Sequence, residues 1–160
     1  MSRITVSVRA TVGSDIGSLT GEPRRDAYGR GRPEGWPVGR GEVDGTLGGD
    51  GLPVDALVLM REPAVPGEVR AWPVAVLHLD EQGRAGEEVV CVAEDLSFAD
   101  LADLPDLGRW QTEPEVWVAA LHRLRGGTAP RMTGCGPRAE AERELAEAER
   151  AFWQLTGCLE

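Results

Sequence analysis

Asp50-Gly51-Leu52-Pro53-Val54-Asp55-Ala56-Leu57-Val58-Leu59-Met60 is the stretch on which the reading of the fold turns. Two carboxylates five residues apart open a run of apolar, partly β-branched residues, and glycines 48 and 49 bound it upstream. Such a run, entered from a turn, predicts a buried strand with Asp50 and Asp55 delivered to its mouth. Two readings fit the acids. Asp-Gly is ordinary turn chemistry, and Asp55 then is a solvated strand end. Alternatively the pair marks a place where cations or hydrogen-bond donors gather.

Upstream, Ile4–Thr11 alternates apolar and polar residues with the period of a half-buried strand, and Trp36–Val43 begins as another. Downstream, Val54–Met60, Glu68–Leu79 and Glu87–Ala93 read as further strands separated by Pro/Gly turns, the middle one a single bent strand or two short ones. Closely spaced short strands point to a barrel. Helices come late. Thr112-Glu113-Pro114-Glu115 carries a capping-box pattern that predicts a helix to Arg125, stopped by Gly126-Gly127. A second helix is expected over Pro137–Thr156, with Ala141, Leu145, Ala148, Phe152 and Leu155 as its apolar stripe. Glu140, Glu142, Glu144, Glu147 and Glu149 read as its solvated side.

The chain has 160 residues, enough for one domain with a substantial core, and no internal repeat. Its net charge of −10 argues against a nucleic-acid or anionic-membrane partner. No run is long and apolar enough for a membrane span or a signal peptide. Cys91, Cys135 and Cys158 have no paired spacing, which fits reduced thiols in a cytoplasm. All 17 basic residues are arginines, and Tyr28 is the single tyrosine. Codon bias in a GC-rich genome explains the missing lysines on a surface, but Arg does not replace Lys at a geometrically tight site. Arg24, Arg25, Arg30, Arg32 and Arg40 concentrate positive charge in an acidic chain. They form either a solvated loop or an anion-binding arm, since guanidinium forks suit phosphate and carboxylate.

Residues Thr46–Val58 resemble the signature of family I soluble inorganic pyrophosphatases, Asp-Gly-Asp-Pro-x-Asp followed by a small residue and an aliphatic pair. Pro63–Gly67, Trp72–Leu77, Asp80–Gly83, Val89–Val92 and Asp103–Leu107 resemble the segments that follow it. The resemblance implies an α+β fold: a small five-stranded, OB-like barrel with helices packed outside. It also implies a homo-oligomer, by family a hexamer, and carboxylates around Mg²⁺ ions that activate water against diphosphate, with basic and tyrosine side chains gripping the phosphates.

Carried over position by position, the resemblance leaves a thinned site. The first and third acids of the signature are Asp50 and Asp55, while the middle, water-activating acid falls on Leu52. The next ligand falls on Asp80 or Glu81, according to where a one-residue gap is placed. The following acid falls on Gly86 and the lysine on Glu88, with Glu87 a local stand-in for the acid. Two tyrosines become Trp36 and Arg40, and a late Tyr-Lys pair becomes His122 and Arg123. Tyr28 and Arg30 join the substrate-binding candidates, Arg30 as a replacement for an arginine that falls on Ala27. His78 is assigned no role.

These changes predict a pyrophosphatase-fold protein whose cleft serves an organic small molecule in specialised metabolism. Asp55, His122 and Asp50 are its catalytic acids and bases. Trp36, Leu52, Arg40 and Arg123 line the site, and Mg²⁺ is weakly held or absent. A Mg²⁺-dependent inorganic diphosphatase is the alternative, and a non-catalytic interaction protein the third reading.

Overall fold

The computed structural model describes residues 3–14, 16, 35–63, 66–94 and 114–157. Six strands and two helices occupy them: β1 (Ile4–Val12), β2 (Val38–Val43), β3 (Asp55–Leu59), β4 (Gly67–Glu81), β5 (Arg84–Ala93), α1 (Pro114–Arg125), β6 (Arg131–Pro137) and α2 (Arg138–Thr156). The strands run in the order β1-β2-β3-β5-β4-β6, and β1 also pairs with β4. That extra pairing closes β1, β2, β3, β5 and β4 into the expected five-strand ring. All ring pairs are antiparallel except β3 with β5, which is parallel.

β3 explains why its sequence reads as an unbroken apolar run. Leu57 and Leu59 enter one buried cluster with Trp36, Val90, Trp117 and Leu121. Ala56, Val58 and Met60 enter a second, which draws on all five ring strands and on Ala141 and Leu145 of α2. A strand buried on both faces needs no alternation. Cys91 lies in the second cluster at 0 % exposure, as a small apolar residue does. β1 and β2 approach most closely at Gly41, where a Cβ would stand 2.0 Å from the Ser7 carbonyl oxygen.

Glu68–Leu79 proves to be part of one long strand, with a register shift between Pro73 and Ala75 where proline lacks the N–H a ladder needs. β4 and β5 meet at Gln82-Gly83, both at positive φ (57° and 86°), a two-residue hairpin turn that starts β5 at Arg84 rather than Glu87. β6 is absent from the sequence reading. With two glycines and only Met132 and Cys135 as large apolar residues it shows no alternation, and it exists by pairing along the edge of β4. The Thr112 cap lies outside the described residues. α2 ends at Gly157 in the left-handed conformation, as expected. Its apolar stripe stops at Ala148, however: Leu155 is 72 % exposed, because the last turns of the helix extend past the sheet.

Candidate active site

Asp50 is held by a tight loop. Gly48 N donates to Leu52 O (2.7 Å), Gly51 N donates to Gly48 O (3.0 Å), and Gly51 sits at φ 82°. Leu52 N then donates to Asp50 Oδ1 at 3.0 Å. The buried Thr46 fastens the loop to the ring, its hydroxyl donating to Val43 O (2.6 Å) and accepting from Val54 N (3.1 Å). Asp55 opens β3 immediately afterwards. This is the turn-to-strand delivery that the sequence predicts.

The strand order does the rest. β2, β3 and β5 lie side by side, with Arg40 pairing to Leu57 and Ala56 to Val89. Arg40, Asp55 and Glu88 therefore converge from three neighbouring strands. Arg40 Nη2 lies 3.3 Å from Asp55 Oδ2 and 3.2 Å from Glu88 Oε1. Glu81 projects from the end of β4 and pairs with Arg125 at the end of α1. All of these, with Asp50 and Arg84, line one polar cavity of about 260 Å³. At about 30 Å³ per water, that is room for a small hydrated anion.

The electrostatics follow from burial. Desolvation raises the Asp55 carboxyl above the usual range; Arg40 opposes this, and Glu42 and Asp50 add to it. Glu88, only 1 % exposed, is pushed up to about 7, again chiefly by desolvation and against the pull of Arg40. An acid whose folded pKa exceeds its unfolded one keeps its proton in the native state over the pH range where the unfolded chain has lost it. Stability on this account falls as pH rises from about 4.5 to about 7 and is level above. At about 1.4 kcal/mol per pH unit, the loss is a few kcal/mol at most. Glu88→Gln should remove it: in urea melts, the variant gains on the parent between pH 5 and pH 8, and parallel curves would show that Glu88 is ionised at no cost.

Several sequence candidates sit elsewhere. Leu52 is 61 % exposed rather than an apolar wall of the cleft, because the turn that aims Asp50 inward aims it outward. Trp36, at 7 % exposure, packs in the cluster with Trp117, and its backbone N–H donates to Ile16 O; it does not line the cavity at Asp55. His122 Nε2 bonds Gly127 O at 2.8 Å, and Arg123 is exposed; neither lines the cavity. Arg125, three residues past His122, does, and the sequence reading missed it because only the helix end fixes its reach. Asp80 turns away to accept from Arg131 (2.9 Å) and Gly83 N, so Glu81 is the acid that faces the site. Tyr28 and Arg30 lie outside the described residues.

The sequence profile of the family "Inorganic pyrophosphatase" matches residues 24–153. The inorganic pyrophosphatase of Aeropyrum pernix is 33 % identical over 120 residues, 71 % of this chain and 67 % of that protein. The one from Corynebacterium glutamicum is 30 % identical over 151 residues, covering 91 % and 95 %. The solved inorganic pyrophosphatase of Helicobacter pylori superposes with a TM-score of 0.65 at 22 % identity, over 94 % of each chain, which supports the fold. These matches overturn the expectation of a cleft rebuilt for an organic substrate. The similarity extends well beyond the signature loop to most of the chain, and the cavity wall at Asp50 and Asp55 is polar. With two signature acids at the mouth of β3 and a family match across most of its length, the chain belongs to the inorganic pyrophosphatase family.

Proposed function

We propose that this protein hydrolyses inorganic diphosphate to two phosphates with a divalent cation, and does so slowly. The observation that carries this is the convergence of Asp50, Asp55 and Glu81 with Arg40 and Arg125 on one small polar cavity. The donor set suits a hard cation such as Mg²⁺: every carboxylate there offers oxygen, and among the described residues the buried Glu88 Oε2 has no hydrogen-bond partner. Asp50, Asp55 and Glu81 would hold the ion, which when bound supplies positive charge and a more acidic water.

The chain's own groups account for the rest of the reaction. Arg40 and Arg125 exchange their carboxylate partners for phosphate oxygens, which frees Asp55 and Glu81 for the cation. Water attacks one phosphorus, the bridging P–O bond breaks, and Asp55 takes the proton that the water gives up. Its desolvated surroundings raise its basicity for that transfer.

Slowness has two causes. Leu52 stands where the family resemblance puts a carboxylate, and an exposed leucine neither ligates nor accepts a proton. Glu88 stands where it puts a lysine, and its carboxylate beside Arg40 competes with phosphate for that guanidinium. The same shortage of acids leaves Mg²⁺ loosely bound. The test is Leu52→Asp. At so exposed a position the change should move stability by no more than about 0.5 kcal/mol. Restoring the acid should raise the Mg²⁺-dependent turnover of diphosphate about 10²-fold. An unchanged turnover would show that the missing acid does not limit the reaction.

A further inference from the structure

Strand alternation gives the β4–β5 hairpin a second chemical face. Glu81 and Glu88 point one way, and His78 and Glu87, paired across the hairpin, point the other. On that other face His78 Nε2 lies 2.6 Å from Glu140 Oε2 of α2, and His78 Nδ1 lies 3.1 Å from Glu87 Oε2. One donor atom from each of the three falls within 4.8 Å of the others.

Two further observations set this group apart from a chance ion pair. Gly136 of β6 leaves room for it: a Cβ there would stand 2.1 Å from Glu140 Oε1, so with any other residue this carboxylate would have to shift from its place beside the histidine. The local charge is also unbalanced. Glu144, one helical turn past Glu140, shares a hydrogen bond with Glu87, so a third carboxyl group adjoins the two that meet His78. Carboxylates gathered this closely repel one another, and a cation between them relieves that.

We propose that His78, Glu87 and Glu140 form a second metal site, which takes a borderline divalent ion of the Zn²⁺ type on one ring nitrogen of His78, with the carboxylate on the other nitrogen orienting the ring. Imidazole nitrogen selects Zn²⁺, Co²⁺ or Ni²⁺ over Mg²⁺, whereas the Asp50, Asp55 and Glu81 set offers oxygen alone. His78 and Glu87 also border a groove of about 620 Å³, shared with Asp50 and Asp55, which provides an entry path.

The chain has only two histidines, so imidazole NMR reads the site directly. In the ¹⁵N-labelled protein titrated with Zn²⁺, the His78 ring nitrogens should shift and saturate while those of His122 stay in place. Mg²⁺ should not reproduce the shift. Glu140→Gln should weaken Zn²⁺ binding at least about tenfold, since losing even a supporting partner of a metal ligand costs that much. Asp55→Asn should keep the His78 response, so failure of the diphosphatase reading leaves this readout intact. A His78 ring indifferent to Zn²⁺, an equal response to Mg²⁺, or loss of the response in Asp55→Asn would overturn the site and leave His78 a hydrogen-bonded bridge between two glutamates.

Discussion

Asp55→Asn should lower the turnover of diphosphate by about 10²–10⁴-fold, the range lost when a positioned general base is removed. Asparagine matches the shape of aspartate, but it neither accepts the proton of the attacking water nor contributes a negative oxygen to a cation. Asp55, like the more deeply buried Glu88, is a carboxylate whose basicity the site has raised, through desolvation that Glu42 and Asp50 reinforce. The fold should survive, because Arg40 keeps Glu88 as a partner at 3.2 Å when Asp55 is neutralised. Steady-state phosphate release, with circular dichroism to confirm folding, measures the effect. A folded variant that turns over diphosphate at the parent rate would place the proton transfer on another group.

The largest expected effect on stability is that of Trp117→Ala, about 3–5 kcal/mol, the usual cost of emptying a buried aromatic site. Trp117 on α1 is fully buried and joins helix to sheet through the cluster that holds Leu57, Leu59, Val90 and Leu121. Removing it leaves a cavity that rigid strands cannot collapse into, since β3 is pinned by β2 on one side and β5 on the other. Arg125 lies two turns further along the same helix, so loosening α1 should also lower activity. Chemical denaturation reads the loss directly. A change below about 1 kcal/mol would mean that α1 contributes little to the native state.

The ring was legible because its strands carry local signals. β1 alternates, β3 is apolar on both faces, and Pro/Gly turns separate the segments after it. β6 was not legible, because nothing in Arg131–Pro137 prefers a strand until the edge of β4 offers it partners. The same distinction runs through the site. Asp50 and Asp55 could be read from the turn that presents them. The choice between Asp80 and Glu81 could not, since it depends on a hairpin register that Gln82-Gly83 sets and on Arg131 capturing Asp80. His122 was misjudged for a related reason. Its position on α1 suited the expected register, yet its ring is taken up by Gly127 O, and Arg125 reaches the cavity instead. Leu52 misled in a third way: a leucine inside a signature reads as a wall of the cleft, whereas the turn exposes it to solvent.

Phosphate release from diphosphate by the purified protein, with and without Mg²⁺, bears most directly on the claim that Asp50, Asp55 and Glu81 form a working hydrolytic site. The expected result is saturable turnover that needs the divalent cation, disappears with a chelator, and stays well below the ~10² s⁻¹ ordinary for enzymes. No phosphate release above the blank at saturating Mg²⁺, or release that persists undiminished in the chelator, would contradict it.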